Sequence, residues 1–155
     1  MKRIFLIITH LGAIALGFAL GIYMLPILTE PQGPSIVEVE KLASSSLYKA
    51  EFKRDLAGSD LLHWGEGTVS ISKGAVSLMG EVSPGPDYKL YLAPEFVETE
   101  DQFLQLKRYS VQVGDIKTFD NFVVNLPESI NPEDYTTVVV WCETFGEFIT
   151  AAQYR

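Results

Sequence analysis

Thr68-Val69-Ser70-Ile71-Ser72-Lys73-Gly74-Ala75-Val76-Ser77-Leu78 alternates apolar and polar side chains on both sides of a Lys-Gly turn. A period of two puts Val69 and Ile71 on one face of a strand, and Val76 and Leu78 on one face of the next, which predicts a β-hairpin with a buried side. The same pattern continues outward. Ser83-Pro84-Gly85-Pro86-Asp87 is a rigid loop, and Tyr88, Leu90 and Leu92 follow on one face of another strand. Phe103 to Gln112, Phe119 to Leu126, Thr136 to Cys142 and Phe145 to Tyr154 are further strand candidates, separated by Asn, Asp, Gly and Pro. About eight strands with loops of roughly 3 to 12 residues, and no soluble helix after Ser46, predict a mainly β fold, a β-sandwich or a barrel-like domain.

Upstream of Tyr48 the pattern differs. Ile4 to Leu28 is a run of 25 residues in which 19 are apolar and none is Asp, Glu, Lys or Arg. As a helix it extends roughly 37 Å, enough for a hydrocarbon core of about 30 Å, so residues 1–28 read as a transmembrane signal anchor. Lys2 and Arg3 precede it, and retained positive charge places the amino terminus in the cytoplasm and the rest outside it. A cleaved signal, cut near Ala15 or Gly21, is the rival reading, but a cut after Ala15 leaves Leu16 to Leu28 as an apolar start to the mature chain. Ala13, Gly17 and Gly21 recur every four residues, a stripe on which two such helices can pair into a homodimer. Pro26, Pro31, Gly33 and Pro34 stop the helix and lead into a short exposed tether, residues 29–47, with one short helix within Ser35 to Ser46. The β domain then runs from 48 to 155.

Twenty acidic against 12 basic side chains leave a net charge of −8, which argues against nucleic-acid binding. Beyond Leu28 the imbalance grows to −10. The single cysteine, Cys142, excludes an intrachain disulfide, a multi-cysteine metal site and a lipid-modified cysteine at the end of the anchor. There is no Gly-rich phosphate loop, no Gly-x-Ser-x-Gly elbow and no His-Glu-x-x-His helix, so hydrolase and kinase chemistry has no residues to rest on. Glu98-Thr99-Glu100-Asp101 lacks the spacing and glycine of a calcium loop and reads as a solvated loop tip.

Val138-Val139-Val140-Trp141-Cys142 has apolar residues on both faces of a strand, Val138, Val140 and Cys142 on one and Val139 and Trp141 on the other, so the strand should be central. Cys142 then lies buried at its end. It is either a small hydrophobe or a reactive thiol, and reactivity needs a nearby cation, whereas Glu143 and Glu147 would raise its pKa. Activation has to come from elsewhere, such as His63 or Lys89.

From Tyr48 to Arg155 the chain resembles the electron-transfer "DM thirteen" domain family. The likeness is carried by Ala50-Glu51-Phe52, His63-Trp64-Gly65-Glu66-Gly67-Thr68-Val69, Gly85-Pro86-Asp87 with Leu90-Tyr91-Leu92, and Asp134-Tyr135 leading into Val139-Val140-Trp141-Cys142 and Phe145. Its ending, Phe148 to Arg155, is similar to the bacterial, membrane-anchored branch, which implies a single-pass protein of the inner membrane with a periplasmic domain. The resemblance implies a β-rich redox domain whose cysteine, here Cys142, works as a free thiol or as a haem ligand. His63 or Met79 would be the second ligand and Trp141 a neighbour. Relatives that fuse this domain to haem-binding domains carry their own electron route, whereas here only His10 of the anchor is a conceivable haem ligand, so a separate redox protein must supply electrons. The alternative is a non-catalytic binding or assembly module of the cell envelope, presenting Gly85, Pro86, Asp87 and Tyr88, with Trp64 and Tyr91, to a partner.

Overall fold

The computed structural model describes residues 1–155. Its first element, α1 (Lys2–Thr29), is one helix of 28 residues without a buried side chain, long and apolar enough to cross a membrane. Gly17 and Gly21 face open space. Pro26, expected beyond the span, lies inside this helix. Proline removes one backbone donor, a loss that membrane helices tolerate and that falls here in the last turns.

The segment after α1 is not a free tether. The Glu30 carboxylate accepts the Phe119 backbone N–H at 2.6 Å, and Gly33 passes so close to Asp120 that a Cβ there would lie 3.1 Å from its carbonyl oxygen. The short expected helix is α2 (Ile36–Ser44), capped by the Ser35 hydroxyl accepting the Glu38 N–H at 3.3 Å. Val39 on its apolar face is buried on the sheet below.

Eight strands follow: β1 (Tyr48–Phe52), β2 (Gly65–Ile71), β3 (Ala75–Val82), β4 (Tyr88–Ala93), β5 (Val111–Ile116), β6 (Asp120–Asn125), β7 (Thr137–Cys142) and β8 (Glu147–Gln153). They form two antiparallel sheets, β1-β2-β3-β6 and β5-β4-β7-β8. The expected hairpin is β2–β3, with Val69 opposite Leu78 and Ile71 opposite Val76. A core of 21 buried residues fills the space between the sheets, including Val69, Ile71, Val76 and Leu78 from one and Tyr88, Leu90, Leu92, Val138, Val140 and Cys142 from the other. This is a β-sandwich. Within β2–β3, Gly67 and Gly80 stand directly opposite each other with φ of 115° and 154°.

All six residues of β7 are buried. Val139 and Trp141 point away from the sandwich into a second cluster with Tyr91, Phe103 and Phe148. That cluster is closed by a helix where a strand was expected. Phe103 to Gln112 divides into α3 (Glu100–Leu106), a single turn of 3₁₀ helix (Lys107–Tyr109) and the start of β5. The Thr99 hydroxyl accepts the Gln102 N–H at 3.4 Å, and Glu100 and Asp101 occupy the first turn, where the helix dipole favours negative charge. The acidic run is therefore a helix start, not a loop tip.

Candidate functional site

Cys142 ends β7, directly opposite Tyr88 of β4. The chain then turns through Glu143 to Gly146, which has a φ of 69° and donates its N–H to the Cys142 carbonyl at 2.9 Å. The Glu143 N–H reaches the Asp87 carbonyl at 3.0 Å, which draws the loop from Pro84 to Asp87 over the end of the strand. Gly85 is required there, because a Cβ would lie 2.4 Å from the Tyr88 ring. On the other side Trp64 and Ser83 exchange bonds, the Ser83 N–H to the Trp64 carbonyl at 3.0 Å and the Trp64 N–H to the Ser83 hydroxyl at 3.3 Å. This seats the turn before β2 beside the loop. Asp60 builds that turn: its carboxylate accepts the N–H groups of Leu62 and His63 at 2.7 and 2.8 Å and lies 3.0 Å from His63 Nδ1. An Nδ1–H donated to Asp60 leaves Nε2 with a free lone pair.

These segments enclose a cavity of 240 Å³. Cys142, His63, Gly85, Pro86 and Tyr88 line it, so five residues proposed from sequence meet in one place. Others, Trp64 among them, do not join them. Met79 lies in the other sheet, paired with Thr68, and Trp141 points to the opposite face of β7. The Asp87 side chain is held by Lys89 at 2.7 Å and Thr144 at 3.0 Å, outside the cavity. Lys89 also bonds Asp115 at 2.8 Å, and the two carboxylates push its pKa up to about 12, so it is not a free cation for the thiol. Tyr88 and Tyr91 are buried, so neither ring is presented to a partner. Phe145 and Glu147, close to Cys142 in the chain, line the cavity too, and the local pattern gives no sign of Leu62 or of the wall that α1 supplies through Ala19, Ile22 and Tyr23. No periodicity joins residues so far apart, although the apolar Leu61-Leu62 pair in a polar loop was a signal of exposure.

Cys142 is only 2% exposed, and burial, followed by the Asp87 carboxylate, pushes its thiol up; the backbone amides of Phe145, Asp87 and Thr144 oppose the rise without cancelling it. The fold therefore favours the protonated sulfur. That stabilisation is complete below the thiol pKa of the unfolded chain and is lost as pH rises through the folded value. Two alkaline effects are expected. The native thiol's alkylation rate keeps rising with pH after that of the urea-unfolded chain has levelled off, and the alkaline loss of folding stability is smaller in Cys142→Ala. Iodoacetamide kinetics and urea melts of the full chain across the alkaline range check both.

A haem does not fit this site. The cavity is smaller than the roughly 300–1,000 Å³ clefts that hold drug-sized ligands. No Lys or Arg lines it to meet propionates. Nor do three or more His, Cys, Asp or Glu side chains converge anywhere in a metal-binding group.

Beyond the cavity, the Tyr91 hydroxyl donates to Glu143, whose carboxylate also takes Lys107 Nζ at 2.7 Å. Burial opposes ionisation of Glu143, but Lys107 and Tyr91 together hold its carboxyl below the usual range. Lys107 also lies 5.1 Å above the Trp141 ring, so this group fastens α3 and its 3₁₀ extension to the sheet.

A protein-family model described as electron transfer DM13 matches residues 51–154, the β domain from β1 to the end of β8. No curated protein and no solved structure matches the chain.

Proposed function

Because the chain belongs to the electron transfer DM13 family, we propose that its β domain is a redox module held at a membrane surface, with Cys142 as the reacting group and thiol–disulfide exchange as its chemistry. The observation that supports this is that the only thiol lines an apolar cavity whose wall also carries His63, with its Nδ1 3.0 Å from the Asp60 carboxylate. In the forward step His63 Nε2 takes the Cys142 proton and Sγ attacks one sulfur of a partner's disulfide. A new S–S bond forms, the old one breaks, and the second partner sulfur leaves with the electron pair and is protonated. Cys142 has no second cysteine to resolve the mixed disulfide, so a thiol of the reducing partner must attack it.

Lys2 and Arg3 support an orientation with the amino terminus inside and the domain outside the plasma membrane, as for a periplasmic domain on a bacterial inner membrane. The oxidant and reductant are then envelope thiol or disulfide proteins.

The test is mixed-disulfide formation on the full chain in zwitterionic micelles, followed by mass. A small neutral aromatic disulfide should modify native Cys142 at least about tenfold faster than anionic glutathione disulfide, because the cavity is apolar and Glu147 is its only carboxylate. His63→Ala should slow that reaction about tenfold or more while the urea-unfolded rate stays unchanged. Modification only at the rate of global unfolding, with no effect of His63→Ala, would overturn the assignment.

A further inference from the structure

The cavity wall carries two exposed large apolar side chains, Leu62 and Phe145, each 53% exposed, and Leu61, next to Leu62 in the chain, is 94% exposed. Leu62 and Phe145 line the same cavity as Ala19, Ile22 and Tyr23 of α1, so this rim lies level with that stretch of the helix. The level along α1 is set by length. Counting from Ile4, the first residue after the charged Lys2–Arg3 end, a hydrocarbon core of about 30 Å takes roughly 20 residues and ends near Tyr23. A tyrosine at that depth is in the position where aromatic residues meet the headgroups. If the core ended before Ala19, only 15 residues, Ile4 to Phe18, would remain to cross it. They extend roughly 22 Å, too short. Tilting α1 moves the boundary toward Leu28 and sets the rim deeper.

We propose that Leu61, Leu62 and Phe145 form a membrane-docking surface, seated in the headgroup layer of the bilayer that α1 crosses. The proposal rests on the membrane reading of α1 above. The Glu30 to Phe119 bond and the packing of α2 hold the domain against the end of the helix rather than letting it swing free. The net charge of −10 beyond Leu28 favours zwitterionic over anionic lipid.

The experiment uses the full chain carrying Cys142→Ser and one of Leu61→Cys, Phe145→Cys, Lys73→Cys or Ile14→Cys, each labelled with an environment-sensitive fluorophore in phosphatidylcholine vesicles containing nitroxide lipid. Leu61 is almost wholly exposed, so its replacement leaves the fold intact, and Lys73 sits in the turn at the far end of β2. Lipid nitroxide should quench labels at 61 and 145 at least about twofold more than the label at 73, with position 14 quenched as well. Quenching at 14 but none above the position-73 level at 61 and 145 overturns the docking surface and leaves the anchor standing, with the rim then free for a protein. A chain that does not float with the vesicles overturns both.

Discussion

Trp141→Ala should lower the melting temperature of the full chain by on the order of 10–20 °C, because emptying a fully buried indole site costs about 3–5 kcal/mol. The ring is 1% exposed, with Phe103 at 5.0 Å between centroids on one side and Lys107 at 5.1 Å. Removing it leaves Phe103 of α3 without one of the two rings it packs on and Lys107 without the ring beneath its charge. Trp141→Phe should lose less than half as much, since the indole Nε1–H is buried without a partner and its removal offsets part of the lost volume. Thermal melts in micelles read both effects. In Trp141→Phe the Cys142 exchange rate should stay within about twofold of the native rate, because the two side chains point to opposite faces of β7. A matching fall in thiol reactivity would make Trp141 part of the site.

Gly67→Ala is expected to destabilise the domain by about 2–4 kcal/mol. Its φ of 115° is strained for any L side chain, and a Cβ would lie 2.3 Å from the Met79 carbonyl oxygen and 2.6 Å from the Gly80 Cα, both backbone atoms that cannot rotate away. The β2–β3 ladder must open there, two residues from Gly65 and Val82, whose neighbours Trp64 and Ser83 seat the His63 turn. The same variant should therefore expose the cavity and raise thiol reactivity. Gly74→Ala is the control: nothing lies within 4 Å of its Cβ, and a change within about 0.5 kcal/mol is expected. Urea melts of the two variants decide the matter, and equal midpoints would refute the close-approach account.

The strands were legible wherever one face was apolar and the other polar, as in β2 and β3, and where both faces were apolar, as in β7. The helix α3 is hidden because Phe103 and Val111 fall in one window that also reads as alternating, while the signal that decides it, Thr99 capping Gln102 with acids in the first turn, reads equally as a solvated loop. The site was half legible. Cys142, His63 and the 84–87 loop are legible from the residues and from the family resemblance, yet their meeting depends on the pairing of Tyr88 with Cys142 and on the Trp64 to Ser83 bonds, which local sequence does not specify. The wall from α1 was invisible for a stronger reason. It depends on where the apolar helix α1 stops and on a single carboxylate, Glu30, finding a backbone amide 89 residues away.

The burial of β7 on both faces, with a hydrogen-bonded strand on each side, has a consequence for the timescales on which this domain breathes. Amide protons in Val138 to Val140 are expected to exchange with solvent only when the sandwich comes apart, whereas the turn from Glu143 to Gly146, tied by the Asp87 and Cys142 carbonyls and by the side-chain bonds of Glu143 and Thr144, is small enough to open by itself. Cys142 sits where the slowest part of the molecule meets one of its faster parts. A sulfur so placed can be closed to solvent almost all the time and still be released by a local fluctuation, with the rest of the protein folded around it.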